Sequence, residues 1–517
     1  MSWKKNKLLF AENYPDESQF IIGIDIGNSM SSIAYFDVNL KMPQIIDISG
    51  GYGKQNLPSA IQYASDDKEW IFGEYALFNN ASGSDIKITS IMDKLGKKEY
   101  YYINNKPFSL SHIVGLYIKE LINNCKSLNP KANIAGIVAS IPAYIDESAL
   151  NELKTAFANS GYEKYVIDYI PNRECILTRY FYKKAVDAQR VYIIDFGSKQ
   201  LRAAVYDLKN EFGEVKTECI SSMYEPELGE KNIEGLIREL VLGHLAKNNK
   251  QPEGLTQYEQ DQLQSFIYNY KDLIFQKNAS GKPVKLYYNF IHPPFRYTLE
   301  KEDIDNLIAG FQQRFKEFLL KAIEKTITSK KLKLSEIDRV ICTGGGFEMF
   351  WPQKLVNNLF GEGKTVFFKN AKGVTSEGAS IIAATKLGVI KNPKFVIKDK
   401  NLITDDIGIK VSTNKQEKFY TLIERDSFWW NAEALLSVIL NDNKYCLEVY
   451  KRNSDFETKI LGRVSLDKLV RRPKGASKVK LGMRFEKPDE LLVEIEDLGF
   501  GELFPRTGYK QKFNIPL

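Results

Sequence analysis

The sequence predicts a large α/β region followed by a smaller all-β region. Helical and strand-like patterns alternate between residues 20 and 390, as expected where helices cover a largely parallel sheet. A strand–turn–strand pattern occurs once in each half of that region. From residue 407 onward, short alternating segments separated by turns are typical of an antiparallel sandwich.

The repeated unit is a pair of strands joined by a turn that contains Asp and Gly. Residues 22–38 read IGIDIGNSMSSIAYFDV and residues 192–208 read YIIDFGSKQLRAAVYDL. The gapless alignment matches Asp25 with Asp195 and Gly27 with Gly197. Glycine permits a tight turn whose N–H groups can face an anion, and a carboxylate at a strand end can hold hydrated Mg²⁺. Two facing turns would form a phosphate clamp, and ordinary hairpins are the alternative.

A third glycine-rich turn follows a strand near residue 340. The apolar segment that begins at Arg339 runs into Gly344, Gly345 and Gly346, and Pro352 then opens a helical stretch. Because these glycines lack Cβ, a flat ligand can approach the backbone closely. The turn therefore supports a ligand site in the α/β region.

Composition argues against several classes of protein. Hydrophobic residues make up 43% and charged residues 26% of the 517 residues, and the formal net charge is +7. Neither wholesale disorder nor a dedicated nucleic-acid binder is indicated, so a nucleic-acid partner is not expected. Five Cys and three His without ligand spacing fit a reducing, cytoplasmic location. No apolar run is long enough to span a bilayer, so no membrane partner is predicted, and residues 1–19 are interpreted as an N-terminal tail.

The order of these motifs resembles that of the actin-like ATPase superfamily and, within it, the DnaK-type chaperones of the heat shock protein 70 family. Residues 23–31 are similar to that family's first phosphate motif, and residues 195–197 stand at its second. The other matching segments are 57–60, 71–76, 139–144, 228–230, 343–346 and 377–379. Strands after residue 407 look, more loosely, like the family's substrate-binding sandwich.

The resemblance implies a two-lobed, actin-like nucleotide-binding domain of duplicated ribonuclease H-like fold at 20–390. A linker at 391–406 and a β-sandwich at 407–517 follow, and the sequence ends where the family's helical lid would begin. The implied cofactors are ATP or ADP and Mg²⁺, with Asp25 and Asp195 as the catalytic and metal-facing pair. The residues implied for nucleotide binding are Gly27, Asn28, Ser29, Gly197, Ser198, Lys199, Gly229, Lys271, Gly344, Gly345 and Gly346.

Departures from the family pattern predict weak or absent hydrolysis. The second phosphate motif keeps one of its three glycines, and Arg202 stands where the family has an acidic residue near the metal. The alignment places Asn172 at the family's catalytic Glu and Met92 at its water-positioning Lys. Glu174 and Lys94, each two residues further on, are the alternatives if the alignment slips. Asn cannot act as a general base, and hydrolysis needs water-positioning groups that binding alone does not need.

The adenosine side of the implied site departs as well. Lys271 falls where the family has a Lys that contacts ribose, whereas Tyr268 replaces a Glu. Phe347 or Phe350 could stack on the base, and core packing is the alternative for both.

The all-β region carries one candidate partner site. Phe428, Trp429 and Trp430 are consecutive aromatic residues that could anchor a protein partner or an unfolded segment. The alternative is a buried strand whose side chains point to opposite faces. The linker likewise either docks on the nucleotide domain, as in the family, or enters the sandwich as a strand.

Three functions compete on this evidence. The first is an ATP-binding, chaperone-like protein with a lidless sandwich that binds a protein partner. The second is a non-enzymatic scaffold of the same fold with an eroded nucleotide site. The third is a small-metabolite kinase, against which the sandwich and the chaperone-like order of motifs both argue.

Overall fold

The chain divides into two compact units, residues 1–397 and 398–517. The computed structural model describes residues 19–48, 55–79, 85–127, 129, 132–142, 145, 147–184, 190–211, 214–247, 255–279, 281–289, 294–324, 332–391, 398–399, 403, 405–413, 416–424, 429, 432–440, 446–452, 458–487 and 490–517. The predicted tail, apart from its last residue, and most of the predicted linker lie outside these residues. Their boundaries therefore stay predictions.

The first unit alternates strands and helices. Its strands are β1 (Gln19–Ile26), β2 (Met30–Asp37), β3 (Met42–Ile45), β4 (Leu57–Pro58), β5 (Ala60–Ala64), β6 (Glu69–Phe72), β7 (Ile86–Thr89), β8 (Tyr100–Ile103), β9 (Lys106–Ser109), β10 (Asn133–Ile141), β11 (Val166–Pro171), β12 (Arg190–Phe196), β13 (Leu201–Glu211), β14 (Glu214–Glu225), β15 (Val284–Tyr288), β16 (Phe295–Leu299), β17 (Arg339–Thr343) and β18 (Thr365–Phe367). Its helices are α1 (Gly73–Phe78), α2 (Ile91–Lys94), α3 (Leu110–Ser127), α4 (Glu147–Ser160), α5 (Asn172–Phe181), α6 (Glu230–Lys247), α7 (Gln257–Ala279), α8 (Lys301–Glu324), α9 (Phe350–Phe360) and α10 (Val374–Lys386). Of the helices within the described ranges, none has the length and apolar character needed to cross a membrane.

Two sheets of the first unit share one topology. The strand order β11-β10-β1-β2-β3 in one sheet corresponds to β18-β17-β12-β13-β14 in the other. In each, the strand that carries the Asp pairs antiparallel with its hairpin partner and parallel with the strand on its other side. The structure thus confirms both hairpins predicted from the repeat and shows a duplicated α/β arrangement.

The central strands are apolar because helices cover them. Ile22 and Ile24 of β1 belong to one buried cluster that also contains Leu121 of α3. Ile194 of β12 belongs to a second buried cluster that also contains Phe315 of α8. Continuous apolar strands of this kind are expected in α/β sheets buried on both faces.

Helix α10 contacts the backbone of β1 and of α5 directly. A Cβ at Gly23 of β1 would lie 2.1 Å from the Ser376 carbonyl oxygen of α10. A Cβ at Gly378 of α10 would lie 1.9 Å from the Cys175 carbonyl oxygen of α5. Because the opposing atoms are backbone, neither contact can relax by a side-chain rotation. The two glycines therefore set how closely this helix approaches the first sheet.

Gly378→Ala is expected to lower the free energy of unfolding by about 1–3 kcal/mol, since the added methyl group overpacks this contact. Gly235→Ala is the matched control, because a Cβ at this position of α6 would meet nothing within 4 Å. The control is expected to gain about 0.5–1 kcal/mol from a helix-interior Gly-to-Ala change. Chemical denaturation of both variants and the parent measures the difference. Equal effects of the two substitutions would contradict the role assigned to Gly378.

The second unit consists of antiparallel strands. They are β20 (Asp406–Thr413), β21 (Gln416–Ile423), β22 (Glu433–Leu440), β23 (Cys446–Arg452), β24 (Thr458–Ser465), β25 (Ser477–Lys487), β26 (Glu490–Gly499) and β27 (Lys510–Pro516), and they follow the two-residue strand β19 (Lys398–Asp399). Two four-stranded sheets have the orders β21-β20-β23-β24 and β22-β25-β26-β27. Ile407, Val449, Leu481 and Val493 from both sheets share one fully buried cluster. The antiparallel all-β region predicted after residue 407 is therefore present.

An ion pair lies inside the second unit. Arg472 donates from Nη1 and Nη2 to the two carboxylate oxygens of Asp497, each at 2.7 Å, and both side chains are almost fully buried. Asp497 also accepts hydrogen bonds from the backbone N–H groups of Gly499 and Thr507, at 2.9 Å each, and from the Thr507 hydroxyl at 2.8 Å. The hydrogen bonds from Arg472 outweigh burial and hold the pKa of Asp497 well below its usual range.

Candidate functional site

A cavity of about 150 Å³ lies where the turns of the two hairpins meet in the first unit. The predicted site residues that line it are Asp25, Gly27, Asn28, Ser29, Asp195, Gly197, Ser198, Lys199, Gly344 and Gly345. The structure therefore brings together three turns that are far apart in the sequence. Gly229, Lys271 and Gly346 were predicted with them and do not line this cavity.

Asp25 and Asp195 occupy equivalent positions in the two sheets. Asp25 is paired in register with Ser140 of β10 and with Ser32 of β2. Asp195 has as its two partners Thr343 of β17 and Arg202 of β13. The second hairpin thus places a guanidinium where the first hairpin has a small hydroxyl.

Both hairpin turns are closed in the same way. The N–H of Gly27 donates to the Met30 carbonyl oxygen, and the N–H of Gly197 donates to the Gln200 carbonyl oxygen, each at 3.1 Å. A Cβ at Gly27 would lie 2.6 Å from the Met30 oxygen. The first turn therefore has no room for a side chain at Gly27.

Side chains connect the two turns to each other. The Ser29 hydroxyl donates to the Ser198 hydroxyl. Asn28 donates from Nδ2 to Asp93 at 2.6 Å, and the Lys199 ammonium group donates to the other oxygen of the same carboxylate. Burial alone would raise the pKa of Asp93, but the hydrogen bonds from Lys199 and Asn28 bring it below its ordinary value. Asp93 therefore acts as a bridge between the first and second turns.

Burial shifts the titration of both aspartates at the cavity. It raises the pKa of Asp25 to about 6, with the charge of Asp195 adding to the shift. A hydrogen bond from the Ser140 hydroxyl and the charge of Arg202 oppose that shift. Burial also raises the pKa of Asp195, against the opposing charges of Arg202 and Arg173. Ionised carboxylates in this cavity are thus costly for the fold.

Arg202 lies beside Asp195 at the cavity wall. Its Nη1 is 3.8 Å from Asp195 Oδ2, and its side chain is 19% exposed. With its amide oxygen turned to the guanidinium, Gln200 accepts from Arg202 Nε at 2.9 Å. The position next to this aspartate is therefore held by a protein cation.

The cavity includes the two residues that the resemblance aligns with the family's hydrolytic groups. Met92 and Asn172 line it, and the amide oxygen of Asn172 is buried without a hydrogen-bond partner. Lys94, one of the two alternatives, instead pairs with Glu99 at 3.1 Å and does not line the cavity. Glu174, the other alternative, does not line it either.

The predicted adenosine-side residues have mainly structural contacts. Buried Lys271 pairs with Glu230 and Glu234, at 3.0 Å each, and these charges outweigh burial and keep its pKa above the ordinary value. Phe347 is buried against Phe196, so of its two interpretations core packing is confirmed.

Two further residues considered for the adenosine side, Tyr268 and Phe350, do not line the cavity. The ring of Tyr268 contacts Phe78 with centroids 5.1 Å apart. Phe350 is 51% exposed and does not line the cavity.

Two of the predicted glycines pack behind the site instead of lining it. A Cβ at Gly229 would lie 2.2 Å from the Lys199 carbonyl carbon, and a Cβ at Gly346 would lie 2.2 Å from the Phe196 ring. These glycines let α6 and the third turn lie close to the second hairpin. Their contacts support the shape of the cavity from behind.

Sequence reasoning missed several residues that shape this site. Asp93, Ser140, Glu230 and Lys372 either line the cavity or hold a residue that does. Ser140 and Glu230 lie in matching segments of the resemblance, 139–144 and 228–230, but their contacts join segments far apart in the chain, and no local pattern assigns them these roles. By contrast, the gapless alignment of the two repeated segments already matches Ser32 with Arg202.

The predicted partner site is only partly described. Phe428 and Trp430 lie outside the described residues. Trp429 is half-buried and packs against the core of the sandwich. Of the three aromatic residues, this one therefore contributes to the fold of the second unit.

The chain is distantly similar to DnaK-type chaperones over nearly its whole length. Chaperone protein DnaK of Thermotoga petrophila is 22% identical over 499 residues, which cover 94% of this chain and 80% of that relative. The DnaK of Thermosipho africanus is 20% identical over 498 residues, with 94% and 79% covered. This similarity supports a relationship to the heat shock protein 70 family and the interpretation of the chain as a chaperone-like, nucleotide-binding protein.

Two family models match parts of the chain. Residues 42–236 match a family described as "Family of unknown function (DUF5716) C-terminal". Residues 402–517 match a "Domain of unknown function (DUF8552)". The second match covers nearly all of the second unit.

The residues at the cavity fit phosphate groups but not Mg²⁺. Lys199, Arg202 and Lys372 supply three cationic side chains to the wall. Within the described ranges, no group of three or more His, Cys, Asp or Glu side chains could hold a metal ion. Mg²⁺ prefers several oxygen ligands and its own waters, whereas Asp195 already faces a guanidinium. The expected Mg²⁺ site between Asp25 and Asp195 is therefore not supported by the side chains around it.

Proposed function

We propose that this chain is a nucleotide-binding, chaperone-like protein with weak or absent ATP hydrolysis. The two equivalent sheets of the first unit form the two lobes of an actin-like domain, and ATP or ADP binds between their hairpin turns. The second unit binds a protein partner or an unfolded segment. The single observation that carries the proposal is the cavity where both repeated turns converge, with an aspartate from each.

The wall of the cavity favours binding over turnover. Hydrolysis needs a group that positions or activates water near the terminal phosphate. Asn172 and Met92 lie at the places that the resemblance assigns to such groups, and neither can accept a proton from water. Lys94 is held by Glu99. In a phosphate-binding cavity that lacks these groups, bound ATP is released before it is hydrolysed.

The exposed face of the second unit has apolar side chains suited to a protein partner. Along β22, Leu435 and Ile439 are 68% and 45% exposed, whereas the alternating residues point into the core. Apolar side chains in an otherwise charged surface are a common feature of protein-binding sites. We infer that this face, together with the region of Trp429, carries the partner-binding function.

Nucleotide binding is expected with micromolar affinity when ADP or ATP is titrated calorimetrically into the full chain. Asp195→Ala is expected to weaken it, because the aspartate orients Arg202 at the wall of the cavity. Asp207→Ala is the matched control, since Asp207 is paired with Arg190 at the opposite end of the same hairpin. Release of phosphate from ATP is expected to stay at the level of ATP without protein. The absence of binding at millimolar nucleotide would refute the proposal.

One observation favours the second candidate, a scaffold without a nucleotide. The bridges from Ser29 to Ser198 and through Asp93 to Lys199 already use polar groups that would otherwise face phosphates. A cavity closed by such bridges would show no heat in the same titration, and partner binding by the second unit would not respond to nucleotide. The calorimetric experiment therefore separates the two candidates.

A further inference from the structure

The cavity contains a fixed protein cation beside one of its two aspartates. Arg202 lies opposite Asp195 on the adjacent strand, with 3.8 Å between Nη1 and Oδ2, and lines the same wall. Its side chain is 19% exposed, so solvent screens its charge only in part. A divalent metal at this aspartate would experience the repulsion of a guanidinium that cannot lose its proton.

The duplication shows that this cation is particular to the second hairpin. The equivalent position in the first hairpin is Ser32, which donates a hydrogen bond to Ser376 at 2.9 Å. The two sheets otherwise share strand order and pairing directions. Arg202 thus adds one positive charge to the cavity within the same hairpin register.

The other cations at the cavity wall are held by acids. Lys199 pairs with Asp93, and Lys372 pairs with Glu348 at 2.9 Å. Arg202 also lies near an acid, with its Nη1 3.8 Å from Asp195 Oδ2, and it differs from the two lysines in the shape of its charged group. A guanidinium has five N–H donors and matches the oxygens of a phosphate group well. Among the cavity-lining residues that the structure describes, it is therefore the cation best suited to contact a phosphate.

We propose that the cavity binds the phosphate groups of its nucleotide without a divalent metal, with Arg202 supplying the positive charge. This inference rests on the proposed nucleotide-binding function and specifies which side chain neutralises the negative charge of the phosphate groups. It assigns to Arg202 the role of a phosphate-binding residue. The affinity for ADP or ATP then depends on Arg202 and not on Mg²⁺.

The test is calorimetric titration of ADP, and separately ATP, into the full chain, once with EDTA and once with millimolar Mg²⁺. The two affinities are expected to agree within about threefold. Arg202→Gln is expected to weaken binding about tenfold to a hundredfold in EDTA, as for the loss of charge-assisted hydrogen bonds. Arg190→Gln is the matched control, because Arg190 pairs with Asp207 at the other end of the same two strands and does not line the cavity. The control is expected to leave the affinity unchanged.

The outcomes separate the inference from the function on which it rests. Binding that requires Mg²⁺ would overturn the inference and leave nucleotide binding intact. Binding in EDTA that Arg202→Gln does not weaken would also overturn it. Absence of binding in both buffers would refute the proposed function and the inference together. The comparison of the two buffers uses the unaltered chain, so it stands even if the Arg202 variant does not fold.

Discussion

Arg472→Met is expected to destabilise the second unit by about 3–5 kcal/mol, because it leaves the buried Asp497 carboxylate without its cation. Native-state hydrogen exchange of the segment Ser477–Gly499 reports this change locally. The expected result is exchange that is faster by about a hundredfold to a few thousandfold, at about 1.4 kcal/mol per factor of ten. Met is chosen since it fills much of the volume of the Arg stem without a charge.

The matched control is Arg463→Met, which removes an exposed pair. Arg463 contacts Glu448 at 2.8 Å, but its side chain is 65% exposed. Pairs of this kind contribute about 0–1 kcal/mol. A combined Arg472→Met and Asp497→Leu variant is expected to stay unstable, because the N–H groups of Gly499 and Thr507 would lose their acceptor. Unchanged protection in the single Arg472 variant would show that the buried pair does not hold this unit together.

Asp25→Asn is expected to raise the free energy of unfolding of the chain by about 3 kcal/mol at about pH 7.5. Burial raises the pKa of Asp25 from 3.8 to about 6, so the folded protein binds a proton more tightly than the unfolded chain does. The free energy of unfolding therefore falls as the pH rises from about 4 to about 6, and above that range the ionised carboxylate destabilises the folded state by a constant amount. At about pH 5 the expected gain is about half as large. Denaturant titrations at the two pH values measure both effects.

Asp67→Asn controls for the loss of a carboxylate as such. Asp67 is exposed in the turn after β5, so its replacement is expected to change stability by less than about 0.5 kcal/mol at either pH. A gain for Asp25→Asn that is the same at both pH values would rule out titration as its cause. A loss of stability would mean that the carboxylate has a partner more important than the Ser140 hydroxyl.

The sequence predicted those parts of the site that depend on local patterns. Asp25, Gly27, Asp195 and Gly197 were located correctly because strand alternation and a glycine turn are properties of a few adjacent residues. The resemblance placed Arg202 near the predicted metal, and the register of the second hairpin puts it opposite Asp195. The duplicated sheet could therefore be inferred from seventeen-residue segments of the printed sequence.

The remaining parts of the site depend on contacts between distant segments. Asp93 reaches Lys199 across 106 residues of chain, and Ser140 reaches Asp25 across 115. Lys271 was placed by alignment at the site, yet its ammonium group does not line the cavity and pairs with Glu230, which does, and with Glu234. The acid with which a lysine pairs depends on how the helices pack, and no pattern in a single sequence predicts that partner.

The bridges between the two hairpin turns have a thermodynamic consequence for any phosphate-bearing ligand. Ser29, Ser198, Asp93 and Lys199 hold the turns together before a ligand arrives, so the protein gives up little conformational freedom on binding. A ligand that contacts these groups exchanges one set of polar contacts for another. Its net enthalpy of binding then comes mainly from cavity groups outside the bridges, among them Arg202.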